Sequence, residues 1–205
     1  MNALLNPQPK RRAPQARLAG EQVADLVAAA GAGDQRAWDR LVDEFASMIW
    51  AIARAHRLGD ADAADVSQAT WLALFENLKR LNDPARAGAW LATTARRECL
   101  RLIRDGHRRI PFGDDAPEQE SREPAPGDAL LTRERDEALQ HCFSRLRPTD
   151  QALLRLLTAD PQPAYEEISA ALDMPIGSIG PTRQRALERL REQLAGQQTL
   201  SLMTD

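Results

Sequence analysis

The chain holds 205 residues, with 27 Lys and Arg against 30 Asp and Glu and a formal net charge of −3. At 43% hydrophobic and 28% charged residues it is too apolar for wholesale disorder, and its charge excludes attachment to nucleic acid by bulk positive charge alone. Only 4% of residues are aromatic, and Ala, Leu, Arg and Glu are abundant while Val, Ile and Tyr are scarce, so helices are expected and strands are not.

The first 20 residues carry Pro7, Pro9, Pro14 and four basic residues and read as a disordered tail. Ala3-Leu4-Leu5 is too short for the apolar core of a signal peptide. No run approaches the ~18–20 apolar residues that span a bilayer. The expectation is a cytoplasmic protein without membrane insertion.

Residues 1–110 carry 17 basic and 13 acidic residues, and within them 21–110 read as a first helical domain. Trp38, Leu41, Val42, Phe45, Ile49 and Ile52 follow helical spacing, with Asp34 as N-cap and Gly59 as stop. Trp71, Leu74, Phe75 and Leu78 mark the apolar face of a second helix over about 62–80. Its opposite face carries Asp62, Asp65, Gln68 and Leu72, acids with one exposed leucine, which suits a basic partner helix as well as plain solvent. Pro84 then breaks the chain. A third helix runs from about Ala85 to Asp105, with Leu91, Ala95, Cys99 and Leu102 inward and Gly106 as its stop.

The third helix carries the most information. Arg86, Trp90, Thr93, Arg97, Arg101, Arg104 and Arg108 recur every three or four residues, which lines five arginines, an aromatic and a hydroxyl along one face. Residues 86–109 hold seven basic and two acidic residues in an acidic protein. Such a stripe suits a phosphate backbone, and Trp stacks on an unpaired base. A solvated surface helix is the plain alternative, but it would normally carry more acids to partner the arginines.

Residues 111–131 hold Pro111, Pro117, Pro124 and Pro126, and the acids cluster here. With few large apolar residues, the segment reads as a flexible acidic linker. A smaller helical domain follows over 132–195, with helices near 132–146, 149–158, 164–172 and 178–194, and then a tail at 196–205. Ile168, Ser169, Leu172, Met174, Ile179 and Thr182 fit a helix–turn–helix around the turn Asp173-Met174-Pro175-Ile176-Gly177. Ser178 is expected to cap the second helix, with Pro181 in its first turn and Arg183, Arg185, Arg189 and Arg191 projecting from it. The second helix of such a motif enters the major groove, where arginine donates two bonds to a guanine.

Catalytic signals are missing, so an enzyme is not expected. His56, His107 and His141 stand apart from any metal-ligand spacing, and there is no Gly-rich phosphate loop. Neither a cofactor nor a metal is expected. Cys99 and Cys142 form no C-x-x-C pair and read as small core residues.

The order of segments resembles a known family. Asp62-Ala-Ala-Asp-Val-Ser-Gln-Ala-Thr-Trp-Leu-Ala-Leu-Phe75 precedes Ala89-Trp-Leu-Ala-Thr-Thr-Ala-Arg-Arg97; an acidic linker follows, then Tyr165-Glu-Glu-Ile-Ser169 through Met174-Pro-Ile-Gly-Ser-Ile179. Over about residues 21–195 this closely resembles the bacterial RNA polymerase sigma factors of the small, two-domain extracytoplasmic-function group. The resemblance implies an all-α fold of two small helical domains, the sigma region-two bundle and the region-four helix–turn–helix, joined by the flexible acidic linker. It implies binding to the polymerase core through Asp62, Asp65, Gln68 and Leu72 at the clamp helices of the largest subunit. It implies capture of a −10 promoter base by the loop 79–86, with Asn82 and Asp83 at the base edge. Arg86, Trp90, Thr93, Thr94, Arg96, Arg97 and Arg101 would then meet the −10 DNA, and Ser178, Thr182, Arg183 and Arg185 the −35 element. The helices over 139–157 would face the flap of the second-largest subunit. Relatives are often held by an anti-sigma factor.

This sequence departs from the family where Arg97 replaces a common Asn, Arg101 a common Asp and Asp173 a usual Gly, and where Gly180-Pro181 replaces a polar or basic pair. Asp tolerates the left-handed conformation of that turn position better than most residues. Two other readings stand beside the sigma factor: a helix–turn–helix regulator that binds DNA without polymerase, and a helical adaptor that binds a regulatory protein without DNA.

Overall fold

The computed structural model describes residues 17–109 and 129–202, and every regular element among them is helical. The helices are α1 (Gly20–Gly31), α2 (Gln35–Ala55), α3 (Asp60–Asn77), α4 (Ala87–Arg109), α5 (Ala129–Ser144), α6 (Pro148–Leu157), α7 (Tyr165–Leu172) and α8 (Ile176–Leu202). Two 3-10 turns, Leu78–Arg80 and Pro84–Arg86, join α3 to α4. The expected N-terminal tail up to residue 16 and the acidic linker over 110–128 lie outside the described residues.

Local chemistry fixes several boundaries. Asp34 caps α2: its carboxylate accepts from the N–H of Arg36 at 2.8 Å and of Ala37 at 3.4 Å. Such a cap contributes about 1 kcal/mol. Gly59 does not stop α2. The helix ends at Ala55, the left-handed position is taken by Arg57 with φ 62°, and Gly59 caps the start of α3. Gly106 does not stop α4, which continues to Arg109. Asp173 adopts the left-handed φ 54° and ψ 47° after α7, at the turn position where the resemblance implies a usual Gly. Ser169 locks the turn, accepting from Met174 N–H at 3.1 Å through its carbonyl and donating its hydroxyl to Met174 O at 2.6 Å.

α8 begins two residues earlier than expected, so Ser178 lies inside the first turn rather than at the cap. Pro181 is the sixth helical residue, past the first turn, where its ring nitrogen cannot donate to Gly177 O. The helix also runs on to Leu202, beyond the expected end at 194.

One hydrophobic cluster ties both sides of the linker together. It joins Leu41, Ile49 and Ile52 of α2, Trp71 and Leu74 of α3 and Leu91 and Cys99 of α4 to Leu153 and Leu156 of α6, Ile168 of α7 and Ile179 of α8. A smaller cluster, Leu146, Leu154 and Ala186 backed by Phe143, Leu187 and Leu190, holds α6 to α8. Arg189 donates to the buried carboxylate of Asp150 at 2.6 Å in the same region, so it braces the fold and does not project freely as its spacing suggested. Phe75 is the other correction. The 3.6-residue period put it with Trp71 in the core, yet it is 66% exposed while Trp71 and Leu74 are fully buried. α1 covers the adjoining edge of the bundle through Val23 and Val27.

Candidate nucleic-acid interface

α4 brings most of the predicted arginine stripe onto one surface, but its charges are not equally available. Arg97 is exposed and has no ion-pair partner among the described residues. Arg101 donates to Glu98 at 2.8 Å and Asp105 at 3.4 Å. The two acids of the segment thus both fall on one arginine. Arg104 donates to the Leu100 carbonyl at 3.1 Å. The side chain of Arg108 lies outside the described ones. The hydroxyls of Thr93 and Thr94 donate back to Ala89 O at 3.0 Å and Trp90 O at 2.9 Å, which leaves them lone pairs to offer unless they rotate.

Two further arginines of the −10 set reach across to the helix–turn–helix. Arg86 stands 3.6 Å from Glu166, and Arg96 donates to Asp173 at 3.0 Å. Beside the Arg86–Glu166 pair lies a cavity of about 450 Å³. Asn82, Asp83, Arg86 and Trp90 line one side; Glu166 and Ile176 line the other. Asn82, Asp83 and Trp90 line one cavity, with α7 and the start of α8 facing them.

At the other DNA candidate, Ser178 and Thr182 are partly buried while Arg183 and Arg185 are exposed on α8. Arg185 donates to Pro181 O at 3.2 Å and to the Thr182 hydroxyl at 3.4 Å. Pro181 leaves no room for a helical N–H at its own position, and Arg185 supplies a donor to its carbonyl one turn later.

α3 carries a separate surface. Asp62, Asp65, Gln68 and Leu72 are all exposed along one face, with Leu72 at 47%. Phe75 extends that face by one turn and meets Trp38 edge-on, with ring centroids 5.9 Å apart. Sequence reasoning placed Phe75 in the core; the structure leaves its ring exposed on this face, resting against Trp38.

Two buried titratable groups sit behind these surfaces. Desolvation lowers the pKa of His56 at the end of α2, a hydrogen bond with the Ala171 backbone opposes that shift, and the charge of Arg96 adds to it. Burial pushes the Cys99 thiol up to about 12, which makes it inert as a nucleophile, and Cys142 is buried as expected. Among the described residues no group of three or more His, Cys, Asp or Glu is placed to hold a metal ion, and no helix is long and apolar enough to cross a membrane.

Fold and site together define an all-helical protein with an arginine-lined helix and a helix–turn–helix, a construction suited to meeting a phosphate chain at two places. A family model, Sigma-70 region 2, matches residues 41–109, from α2 through α4. The chain is 26% identical over 177 residues to the ECF RNA polymerase sigma factor SigE of Mycolicibacterium smegmatis, covering 80% of this chain and 65% of that one. It is 25% identical over 170 residues to the probable RNA polymerase sigma factor RfaY of Xanthomonas campestris pv. campestris, covering 80% of this chain and 42% of that one. The chain thus spans less than two thirds of the length of either relative. Its fold is similar to that of CnrH, solved in complex with the cytosolic domain of CnrY, with a TM-score of 0.57 and 20% identity over 85% of this chain and 98% of that one. Residues 41–109 thus carry a Sigma-70 region 2 domain, and over most of its length the chain is similar to RNA polymerase sigma factors, one of them of the extracytoplasmic-function group.

Proposed function

We propose that the chain is a sigma factor that brings bacterial core RNA polymerase to specific promoters and begins DNA opening at the −10 element. The observation that carries this reading is the Sigma-70 region 2 match over residues 41–109, because that span holds both the acidic α3 face and the α4 stripe. In this reading residues 21–110 form the unit for core and −10 DNA, 132–195 the unit for the −35 element, and 111–131 the tether between them. A flexible tether costs little to extend and lets two modest contacts act as one tight one. The protein works in the cytoplasm, where its polymerase is, and supplies no chemistry of its own.

The two contact surfaces have complementary roles. Asp62, Asp65, Gln68 and Leu72 offer acids beside an apolar ridge, which fits the clamp helices of the largest subunit, while the helices over 139–157 face the flap of the second-largest. Arg97, Arg101 and Arg96 hold phosphates, Trp90 stacks on an opened base, and Asn82 and Asp83 read the edge of a flipped one. Flipping costs a few kcal/mol, which binding in a fitted pocket must offset. Arg183 and Arg185, with Ser178 and Thr182, read the −35 element. CnrH is solved with the cytosolic domain of CnrY, and a regulatory protein partner of the anti-sigma kind belongs to the same proposal.

The test is transcription by purified core polymerase on a pooled library of bacterial promoter fragments, with and without the chain. Specific transcripts that need the chain are expected. Absence of transcripts together with absence of comigration with core would overturn the reading in favour of a DNA-binding regulator.

A further inference from the structure

The first 20 residues hold Lys10, Arg11, Arg12 and Arg17 and no Asp or Glu, a charge of +4 in a chain whose net charge is −3, so the remaining residues carry −7. The block therefore has no acids of its own to neutralise it, unlike Arg101 of α4, which is paired with both Glu98 and Asp105. Three residues ahead of α1 fix where the block is rooted. Leu18 packs against the larger hydrophobic cluster, and its N–H donates to Glu44 Oε1 at 3.3 Å. The N–H of Ala19 donates to Gln22 Oε1 at 2.9 Å. Arg17 donates to Glu167 Oε2 at 2.6 Å. The other oxygen of that carboxylate faces the head of α4, where a Cβ on Gly88 would stand 2.5 Å from it. α1 then packs on the turn Pro84–Arg86, and a Cβ on Gly20 would lie 3.4 Å from the Ala85 carbonyl oxygen. The root thus lies beside Gly88, which stands in sequence between Arg86 and Trp90 of the proposed −10 set.

Lys10 is seven positions before Arg17, so the block reaches at most about 25 Å from this root. A DNA duplex presents a negative charge about every 1.7 Å of its axis, so that radius takes in many phosphates. Lys10, Arg11 and Arg12 lie outside the described residues, and charge and reach are what they contribute.

We propose that residues 10–17 are a basic arm for promoter DNA: rooted at the head of α4 by Arg17 and Leu18, it brings Lys10, Arg11 and Arg12 to the phosphates that flank the −10 element. The inference rests on the sigma-factor reading of α4. Short basic segments ahead of a helical DNA-binding unit add affinity in this way by reaching past the helix that reads the bases. Place and sign make DNA the occupant. The root stands among residues that would meet DNA, and nothing acidic within the segment competes for its charges. Phosphate contacts carry no sequence information. The arm therefore adds affinity at every promoter alike and leaves promoter choice to Asn82, Asp83 and the helix–turn–helix.

The full chain assembled with core polymerase tests this on end-labelled duplexes of two promoters that it transcribes. Arg11→Gln with Arg12→Gln is set against Arg36→Gln with Arg40→Gln, which removes the same charge from exposed positions of α2. The arm variant is expected to comigrate with core as the unmodified chain does and to bind both promoters about tenfold less tightly at equal salt. Its slope of log affinity against log salt is expected to be shallower by about one to two, since each phosphate contact contributes about 0.9 to that slope. The α2 variant is expected to match the unmodified chain. Equal affinities and slopes for the two variants, or a loss at one promoter and not the other, would overturn the arm. A photo-cross-link locates it: Arg11→Cys labelled with benzophenone is expected to join DNA next to the −10 element, while the buried native thiols stay unlabelled. Cross-links to polymerase subunits alone would overturn the DNA assignment and make the segment a core contact. If the unmodified chain yields no transcripts with core, the sigma-factor reading fails and takes the arm with it; if it transcribes and these contrasts are absent, the arm alone fails.

Discussion

α3 and α4 are neighbours in one bundle, yet they meet solvent in opposite ways. Asp62 and Asp65 on α3 are exposed and free of ion pairs among the described residues, and Leu72 and Phe75 beside them stand out at 47% and 66%. On α4 and the turn that precedes it, Arg86, Arg96 and Arg101 each have a carboxylate partner, and Trp90 is half-buried at a cavity wall. The difference is physical. An acidic face with an apolar ridge is left open because no basic helix among the described residues is packed against it. A basic face is covered because the same chain carries acids on α7. The face proposed for polymerase is therefore ready in the free protein, and the face proposed for DNA is not, which favours polymerase first and DNA second.

The largest expected effect separates Trp71 from Phe75. Both are aromatic and four residues apart on α3, but only Trp71 is buried. Trp71→Ala is expected to cost about 3–5 kcal/mol in urea denaturation, from lost burial and the cavity left behind. Phe75→Ala should stay within about 1 kcal/mol and instead weaken comigration with core polymerase. A large stability loss for Phe75→Ala would put that ring back into the core and remove it from the proposed interface.

The next contrast sets charge on α3 against charge on α4. Asp62→Arg with Asp65→Arg is expected to weaken core binding about tenfold or more, since like-charge juxtaposition at an interface costs several kcal/mol. Arg97→Ala should leave core binding intact and reduce use of promoters. If the α4 variant loses core and the α3 variant does not, the two roles are reversed. On α8, Arg183→Ala should cost ~1–3 kcal/mol on promoters that depend on the −35 element, as expected of a bidentate base contact. Unchanged promoter choice would remove Arg183 from readout.

The smallest effect is a pH dependence at the junction of the two units. His56 lies between α2, the Ala171 backbone of α7 and Arg96 of α4, and its pKa is lowered, chiefly by desolvation. The unfolded chain therefore takes up a proton more readily than the folded one. The contribution of neutral His56 to the fold is full above about pH 6.5 and declines as pH falls toward the lowered value. Urea denaturation measured across that range should show stability falling on the acid side, and His56→Gln should flatten the response.

Much of this comparison was legible in the sequence. The spacing of Trp38 to Ile52, the Asp34 cap and the Arg/Trp stripe all follow from local rules that neighbours along the chain decide. What escaped depended on distant partners. α1 went unread because only Val23, Leu26 and Val27 rise above an Ala-rich background, and their burial needs the bundle edge. Gly59 and Gly106 looked like stops, but Arg57 took the left-handed position and nothing forced α4 to end. Arg189 counted as a free arginine until the fold placed it on Asp150. The pairing of α4 with α7 links residues about 77 apart, as between Arg96 and Asp173, and no periodicity within either helix announces it.

Hydroxyl-radical footprinting of the free chain and of its complex with core polymerase tests the contrast between the two faces most directly. Leu72 and Phe75 are expected to be oxidised readily in the free chain and protected in the complex, while Trp90 and Ile176 are slow in the free chain and become faster once core is bound. Unprotected Leu72 and Phe75, or Trp90 and Ile176 that do not change, would contradict the account.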